Sequence, residues 1–289
     1  MRDNSRGFRR VVRRLLKYFR PAVPFSGWQT GLHIPLSGQQ KIVWQRYQLP
    51  LGGLRSPIRL AVMSDFHVGS LPGDRERLKE CIDMVAQSQP DLVLLLGDFV
   101  NMQPIFGDRV SPEAICEHLA RLTDGATTLA VLGNHDAEYG NSAIESVLKE
   151  IGVKVLRNEH LIIPINGITL AIAGVDDHST GFPNISMALD AIPHEMPTIL
   201  MSHDPALFGE VPNNVFLTIC GHTHGGQIVL PLIGPVVNAS EAPLKWTYGY
   251  VVEDGRNLIV TSGLGASGVP IRINCPSEIV EIILQPLLA

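Results

Sequence analysis

Short apolar runs that end in histidine, aspartate or asparagine recur along this chain, and the recurrence limits the folds open to it. Val215-Phe216-Leu217-Thr218-Ile219-Cys220 closes on Gly221-His222-Thr223-His224, followed by Gly225-Gly226. Arg59-Leu60-Ala61-Val62-Met63 closes on Ser64-Asp65-Phe66-His67, Asp91–Leu96 on Gly97-Asp98, and Thr128–Leu132 on Gly133-Asn134-His135-Asp136. Thr198–Met201 closes on Ser202-His203-Asp204. Apolar runs of this length, bounded by glycine and polar residues, read as buried strands ending in tight loops. Helix-patterned stretches separate the early ones. Asp74–Gln87 carries Leu78, Cys81, Ile82 and Val85 on one face, Pro112–Leu122 follows Ser111 as N-cap, and Ser142–Glu150 stops at Gly152. Strand–helix alternation predicts layered α/β architecture with functional groups at the carboxyl ends of the strands.

The second half is richer in strands. Val153–Leu156, Leu161–Ile165 and Thr169–Ala173 fall close together, and Asn166-Gly167 marks a hairpin between the last two. A short helix is expected near Ile185–Ala191, a second hairpin at Tyr248–Glu253 and Leu258–Thr261, and a closing strand at Glu278–Leu284. Lys41–Leu49 reads as a strand near a sheet edge. The expectation is two sheets packed face to face with helices outside.

The residues at the strand ends define the chemistry. Asp65, His67, Asp98, Asn134, His203, His222 and His224 combine oxygen donors with four imidazoles. That mixture suits Mn²⁺, Fe²⁺ or Zn²⁺ better than Ca²⁺, which favours all-oxygen shells. Seven ligands exceed one tetrahedral site and fit two metals that share a carboxylate. Two ions ~3.5–4 Å apart hold a hydroxide and clamp an in-line displacement at phosphorus.

Charge is unevenly distributed. The chain has 23 Lys and Arg against 28 Asp and Glu. Residues 1–20 hold eight basic groups and one acidic group (+7), which leaves 15 basic and 27 acidic groups (−12) in the remainder. An acidic body argues against a nucleic-acid groove, which needs clustered Lys and Arg. Phe8, Val11, Val12, Leu15, Leu16 and Phe19 form one helical stripe, with Arg9, Arg10, Arg13, Arg14, Lys17 and Arg20 filling the rest. A basic amphipathic helix of this kind suits an anionic membrane surface. Arg13-Arg14 is not followed by the apolar region and cleavage site of an export signal, and no stretch of ~18 apolar residues is present. The expected location is cytoplasmic, peripheral on the inner face of the cytoplasmic membrane. The domain reading is an anchor at 1–20, a Pro- and Gly-rich linker at 21–39 and one domain at 40–289. Cys81, Cys116, Cys220 and Cys275 match no zinc or disulfide spacing and read as core residues of a reduced compartment.

Asp65-x-His67, Gly97-Asp98, Gly133-Asn134-His135-Asp136, His203 and Gly221-His222-x-His224 resemble, in order, the five signature blocks of the calcineurin-like metallophosphoesterases. Gly225-Gly226-Gln227, Ser262-Gly263-Leu264-Gly265 and Pro270-Ile271-Arg272 further resemble the bacterial YkuE/YaeI-type branch. The resemblance implies a four-layer α/β/β/α sandwich and a phosphodiester- or pyrophosphate-cleaving hydrolase with two divalent ions, manganese first and Fe, Zn or Mg as alternatives. One ion would take Asp65, His67, Asp98 and His224. The other would take Asp98, Asn134, His203 and His222, with Asp98 bridging. The catalytic candidates are His135, Asp136 and Asn101, with His135 beside the metals as acid or hydrogen-bond donor and Asp136 in the same block. Many members carry an aspartate that charges this histidine where this chain has Asn101, so His135 is expected to act mainly as a hydrogen-bond donor. Arg272 and His178 are candidate substrate contacts. A relative in the branch acts on UDP-diacylglucosamine, so a lipid-linked or phospholipid substrate is the leading expectation. A soluble broad-specificity phosphodiesterase and a non-catalytic binding scaffold are the alternatives, and the oligomeric state is left open.

Overall fold

Leu60 and Val62 project from one face of a buried strand, while Ala61 and Met63 project from the other into a different apolar cluster. Strands buried on both faces need a layer on each side, and the chain supplies them. The computed structural model describes residues 41–71, 73–102, 107–236, 238–268 and 271–287. The amphipathic pattern at 8–20 and the linker at 21–39 lie outside the described residues.

The first sheet contains β1 (Val43–Leu51), β2 (Ile58–Met63), β3 (Leu92–Leu95), β4 (Thr127–Ala130), β5 (Lys154–Val155) and β14 (Glu278–Pro286), in the order β1-β14-β2-β3-β4-β5. β2, β3, β4 and β5 run parallel, and β14 pairs antiparallel to β2 and parallel to β1. The second sheet has β6 (Glu159–Ile165), β7 (Ile168–Gly174), β8 (Thr198–Ser202), β9 (Leu217–Cys220), β12 (Gly249–Glu253) and β13 (Arg256–Val260). Its order is β12-β13-β9-β8-β7-β6, parallel through the middle with an antiparallel hairpin at each edge. The Asn166-Gly167 turn joins β6 to β7 as expected, with both residues at positive φ.

Between the sheets, Leu60, Val62, Leu94 and Leu129 meet Ile172, Ile199, Met201 and Ile219 in one cluster. Outside the first sheet, Leu78, Ile82, Val85, Ile115, Leu119, Ile144 and Leu148 cover Ala61, Met63, Val93 and Leu95. These come from α1 (Asp74–Ser88), α2 (Pro112–Thr123) and α4 (Asn141–Glu150). Ser111 caps α2 by accepting from the Ala114 amide, with Pro112 at the first helical position. The outer layer of the second sheet is thinner. α5 (Ile185–Ala188), the 3₁₀ turn Pro205–Glu210 and Trp246 cover Ala173, Leu200 and Val260. All four cysteines are buried and unpaired.

β14 brings the chain's end back between β1 and β2, at the end of the sheet where β2 delivers Asp65. Its first residue, Glu278, is buried. The carboxylate accepts from Thr261 Oγ1 (2.8 Å), the Ser262 amide (3.0 Å) and Tyr248 Oη (2.7 Å). Burial raises its pKa above the ordinary 4.5, opposed by those donors. The folded chain therefore keeps this proton to higher pH than the unfolded chain. The associated stability is present below about pH 4.5 and is lost as pH rises through the folded pKa. Glu278→Gln removes the titration, so its melting temperature should fall less than wild type's between about pH 5 and pH 8. Identical slopes in thermal melts would contradict the assignment.

Candidate metal centre

Each ligand predicted from sequence stands just beyond the carboxyl end of a strand, where two parallel segments face each other. β2 leads into Asp65 and His67, β3 into Asp98, β8 into His203, and β9 into His222 and His224; Asn134 opens α3 (Asn134–Tyr139) four residues after β4. The backbone is bent sharply to present them. Asp65 (φ 52°), His67 (41°), Asp98 (55°), His222 (64°) and His224 (50°) all occupy positive φ. Non-glycine residues avoid this conformation, and it concentrates at functional sites where surrounding packing enforces it.

Asp98 is the centre of the cluster. Its Oδ2 lies 3.2 Å from His67 Nε2 and 3.4 Å from His203 Nε2, and its Oδ1 accepts the His135 amide at 2.9 Å. His67 Nε2 and His224 Nε2 stand 3.1 Å apart, with Asp65 Oδ1 3.6 Å from the latter. On the other side, His203 Nε2 faces His222 Nδ1 at 3.2 Å. His203 Nδ1 donates to the Leu96 carbonyl at 2.6 Å, and His222 Nε2 donates to that of Ala239 at 3.3 Å. Those donations put each imidazole's lone pair on the nitrogen that faces the other.

That arrangement fits cations. Two lone pairs pointing at each other across 3.2 Å repel unless a proton or a metal lies between them. Asn134 Oδ1 is buried without a hydrogen-bond partner, as a spare ligand oxygen would be. Among the described residues, two groups of donor atoms gather within 4.8 Å, Asp65 with His67 and His224, and Asp98 with His203 and His222; a third joins His67, Asp98 and His135. Burial alone would raise the Asp98 pKa, but His203 and His67 hold it well below the usual range. Against the same burial, Asp98 raises His67 and His203. His224 is pushed well below its ordinary value by burial, with His67 and Arg272 adding to the effect.

The other candidates occupy different positions. Asp136 is buried behind the ligands rather than among them. Its carboxylate accepts the amides of Asp98 (2.8 Å), Phe99 (2.9 Å) and Gly133 (2.9 Å), locking the two ligand loops together. Burial and the neighbouring Asp98 push its pKa up to about 7. His135 is half-buried at the rim, packed edge-on against His67, with Nε2 3.4 Å from Ser267 Oγ. Glu138 lies 3.6 Å from its Nδ1, beyond hydrogen-bond reach. Burial lowers the His135 pKa. Asn101 Nδ2 donates to Ser70 Oγ at 2.6 Å.

Arg272, expected at a substrate phosphate, is buried. It donates to the carbonyls of Ser262 (2.6 Å), Gly265 (2.8 Å) and Cys275 (3.4 Å), and its Nη2 lies 3.3 Å from His224 Nδ1. The guanidinium thereby holds the 262–265 loop, whose Gly265 amide donates to the Asp65 carbonyl at 2.6 Å. His178 is half-buried beside Asp177, whose carboxylate closes a turn with Ser179 and Thr180. Asp204 was not singled out from sequence. It sits 3.7 Å from His222 Nε2 and is fixed by the Ala206 amide and Ser240 Oγ.

Gly133 shows how tightly the loops are packed on the ligands. A Cβ there would lie 2.7 Å from His203 Cε1 and 2.8 Å from Asp98 Cγ. Its φ of −103° admits alanine, so the obstacle is steric. Gly133→Ala should fold, lose about 1–3 kcal/mol of stability and bind less metal per chain, as read by denaturant titration and elemental analysis. Gly125→Ala, where a Cβ meets nothing within 4 Å, serves as control. Wild-type metal content in Gly133→Ala would contradict the packing account.

Comparison with known proteins agrees with this geometry. The profile of the calcineurin-like phosphoesterases matches residues 58–226. The metallophosphoesterase YkuE of Bacillus subtilis is 30% identical over 213 residues, 73% of each chain. Phosphodiesterase YaeI of Escherichia coli is 28% identical over 228 residues, 78% of this chain and 81% of YaeI. A transmembrane protein with metallophosphoesterase domain from Danio rerio is 29% identical over 245 residues, 79% of this chain and 53% of that protein. With its signature residues gathered at the strand ends, the chain belongs to the calcineurin-like phosphoesterase family and is a metal-dependent phosphoric ester hydrolase.

Proposed function

We propose that this protein cleaves a phosphodiester or pyrophosphate bond in a lipid-linked substrate at a membrane surface, using two divalent ions that share Asp98. The observation that carries the reading is the Asp98 carboxylate, set between His67 and His203 with a donor group on each side. One ion would be held by Asp65, His67, Asp98 and His224, and the other by Asp98, Asn134, His203 and His222; manganese is the leading choice, with Fe, Zn or Mg as alternatives. Bound there, the ions supply positive charge to the phosphoryl oxygens and make water a competent nucleophile at neutral pH.

The chain's own groups do the rest. His135, at the rim and depressed by burial, is neutral near pH 7 and offers its Nε2 side to a phosphoryl oxygen or to the departing alkoxide. By the family resemblance, Asn101 replaces an aspartate that would favour the imidazolium, and in this proposal hydrogen-bond donation outweighs proton transfer at His135. Asp136 and Arg272 keep the ligand loops in place.

For the substrate, the support is the basic amphipathic pattern at 8–20, the name of the Danio rerio relative as a transmembrane protein and that of YaeI as a phosphodiesterase. Among the described residues no helix is long and apolar enough to cross a membrane, so surface association through residues 8–20 is the proposed mode, on the inner face of the cytoplasmic membrane. The substrate class is a UDP-diacylglucosamine-like or phospholipid diester. The acidic remainder of the chain speaks against nucleic acid.

With Mn²⁺, the full chain should hydrolyse bis-p-nitrophenyl phosphate faster than p-nitrophenyl phosphate, lose activity to EDTA and regain it on adding metal. A monoester preference would overturn the diesterase reading. His135→Asn should lower kcat by roughly 10²–10³. Asn101→Asp should move the pH–rate limb of His135 to higher pH, because an adjacent anion favours the imidazolium. An unmoved profile would show that Asn101 does not tune that histidine.

A further inference from the structure

The chain leaving the metal centre runs directly into an apolar hairpin. After Gly226, β10 (Val229–Leu230) pairs antiparallel with β11 (Gly234–Pro235), and the tip between them is Pro231-Leu232-Ile233. Leu232 is 102% exposed, Ile233 46% and Leu230 37%, and Ile271 on the neighbouring segment is 39% exposed. Leu232 also adopts a φ of 66°, a turn conformation usually left to glycine or asparagine. A large apolar side chain here is costly both in backbone conformation and in hydration.

The hairpin is braced on the site rim. The Val229 amide donates to the Ile273 carbonyl and the Ile273 amide to Gln227, both at 2.9 Å, and Asn274 Nδ2 donates to the Val229 carbonyl at 3.0 Å. Gln227 exchanges hydrogen bonds with Ser267, the residue beside His135 Nε2. The surrounding sequence is free of charge. Residues 225–240 contain no Asp, Glu, Lys or Arg, and neither do residues 262–271.

The described chain also enters at this end of the molecule. The Val43 amide, at the start of β1, donates to the Ser277 carbonyl at 3.0 Å, and Ser277 Oγ donates to the Leu264 carbonyl at 2.7 Å. Residues 21–40 separate this point from the basic segment at 8–20, a contour of at most about 70 Å at ~3.5 Å per residue. The basic segment and the apolar tip can therefore contact one surface at the same time. A body of net charge −12 is repelled by an anionic bilayer, and the charge-free segments 225–240 and 262–271 around the tip are the parts that approach one at least electrostatic cost.

We propose that Leu230, Leu232, Ile233 and Ile271 insert into the interface of an anionic phospholipid bilayer, seating the metal centre against the lipid headgroups while residues 8–20 supply the basic contact. This inference rests on the membrane-surface reading above and assigns the residues that carry it. Insertion strength scales with the apolar area buried, and charge attraction adds to it.

The test uses the full chain. Leu232→Cys takes a polarity-sensitive nitrobenzoxadiazole label selectively, because the four native cysteines are buried. With vesicles of phosphatidylcholine and phosphatidylglycerol, the label's emission should shift to the blue and brighten. Leu232→Asp combined with Ile233→Asp should cut vesicle-bound protein about tenfold or more in sedimentation. Hydrolysis of bis-p-nitrophenyl phosphate by that variant should stay at the wild-type rate. If the chain binds vesicles but the label does not respond and the double variant still binds, the hairpin inference falls and the membrane-surface reading stands on residues 8–20 alone. If the full chain binds no vesicles, both fall. A dimer that the double variant disrupts, with no response to vesicles, would assign the tip to a second copy of the chain and overturn the inference.

Discussion

A carboxylate with almost no access to solvent is the constraint on which the rest of this structure depends. Asp98 sits in a low-dielectric setting that would neutralise an isolated acid, yet His67 and His203 hold it well below its usual range. A buried anion stabilised by two imidazoles and the His135 amide needs every neighbour fixed. The protein fixes them from behind: Asp136 binds the amides on both sides of the ligand loops, the Leu96 carbonyl orients His203, and Arg272 holds the loop beneath Asp65. Five ligand candidates at positive φ show the scale of the demand, since the conformational cost must be met by packing elsewhere. The two-sided sandwich meets it, because the strands that deliver the ligands are anchored in one cluster between the sheets and in others outside them.

Much of this was legible from the residues. Continuous apolar runs marked strands buried on both faces, and β2, β3, β4, β8 and β9 lie at or near the expected positions. The gathering of Asp65, His67, Asp98, His203, His222 and His224 was legible for a simpler reason: a strand end is a fixed address, so a histidine or aspartate one to four residues beyond it has little freedom to go elsewhere. Hairpins at Asn166-Gly167 and at 249–260 followed from turn chemistry and alternation.

What stayed hidden depends on contacts distant in sequence. Nothing local in Glu278–Pro286 says that this strand enters the first sheet between β1 and β2, because that choice is made by a hydrogen-bonding partner more than 200 residues away. Arg272 looked like an anion receptor because its neighbours Ile271 and Ile273 gave no sign of the carbonyls that collect around it. The clamp formed by Asp136 and the His203 bond to Leu96 use main-chain groups, which carry no residue-specific signal. The same limit explains the rim. Ile228 to Ile233 is one more apolar run, and only the fold shows that Leu230, Leu232 and Ile233 face solvent on the segment that follows Gln227 and its bonds to Ser267.

The proposed chemistry turns on Asp98 being shared between two cations. Anomalous diffraction at the manganese edge, from crystals grown with Mn²⁺, tests it most directly. Two peaks should flank the Asp98 carboxylate, one against Asp65, His67 and His224 and one against Asn134, His203 and His222. A single peak, or two peaks that Asp98 does not join, would contradict it.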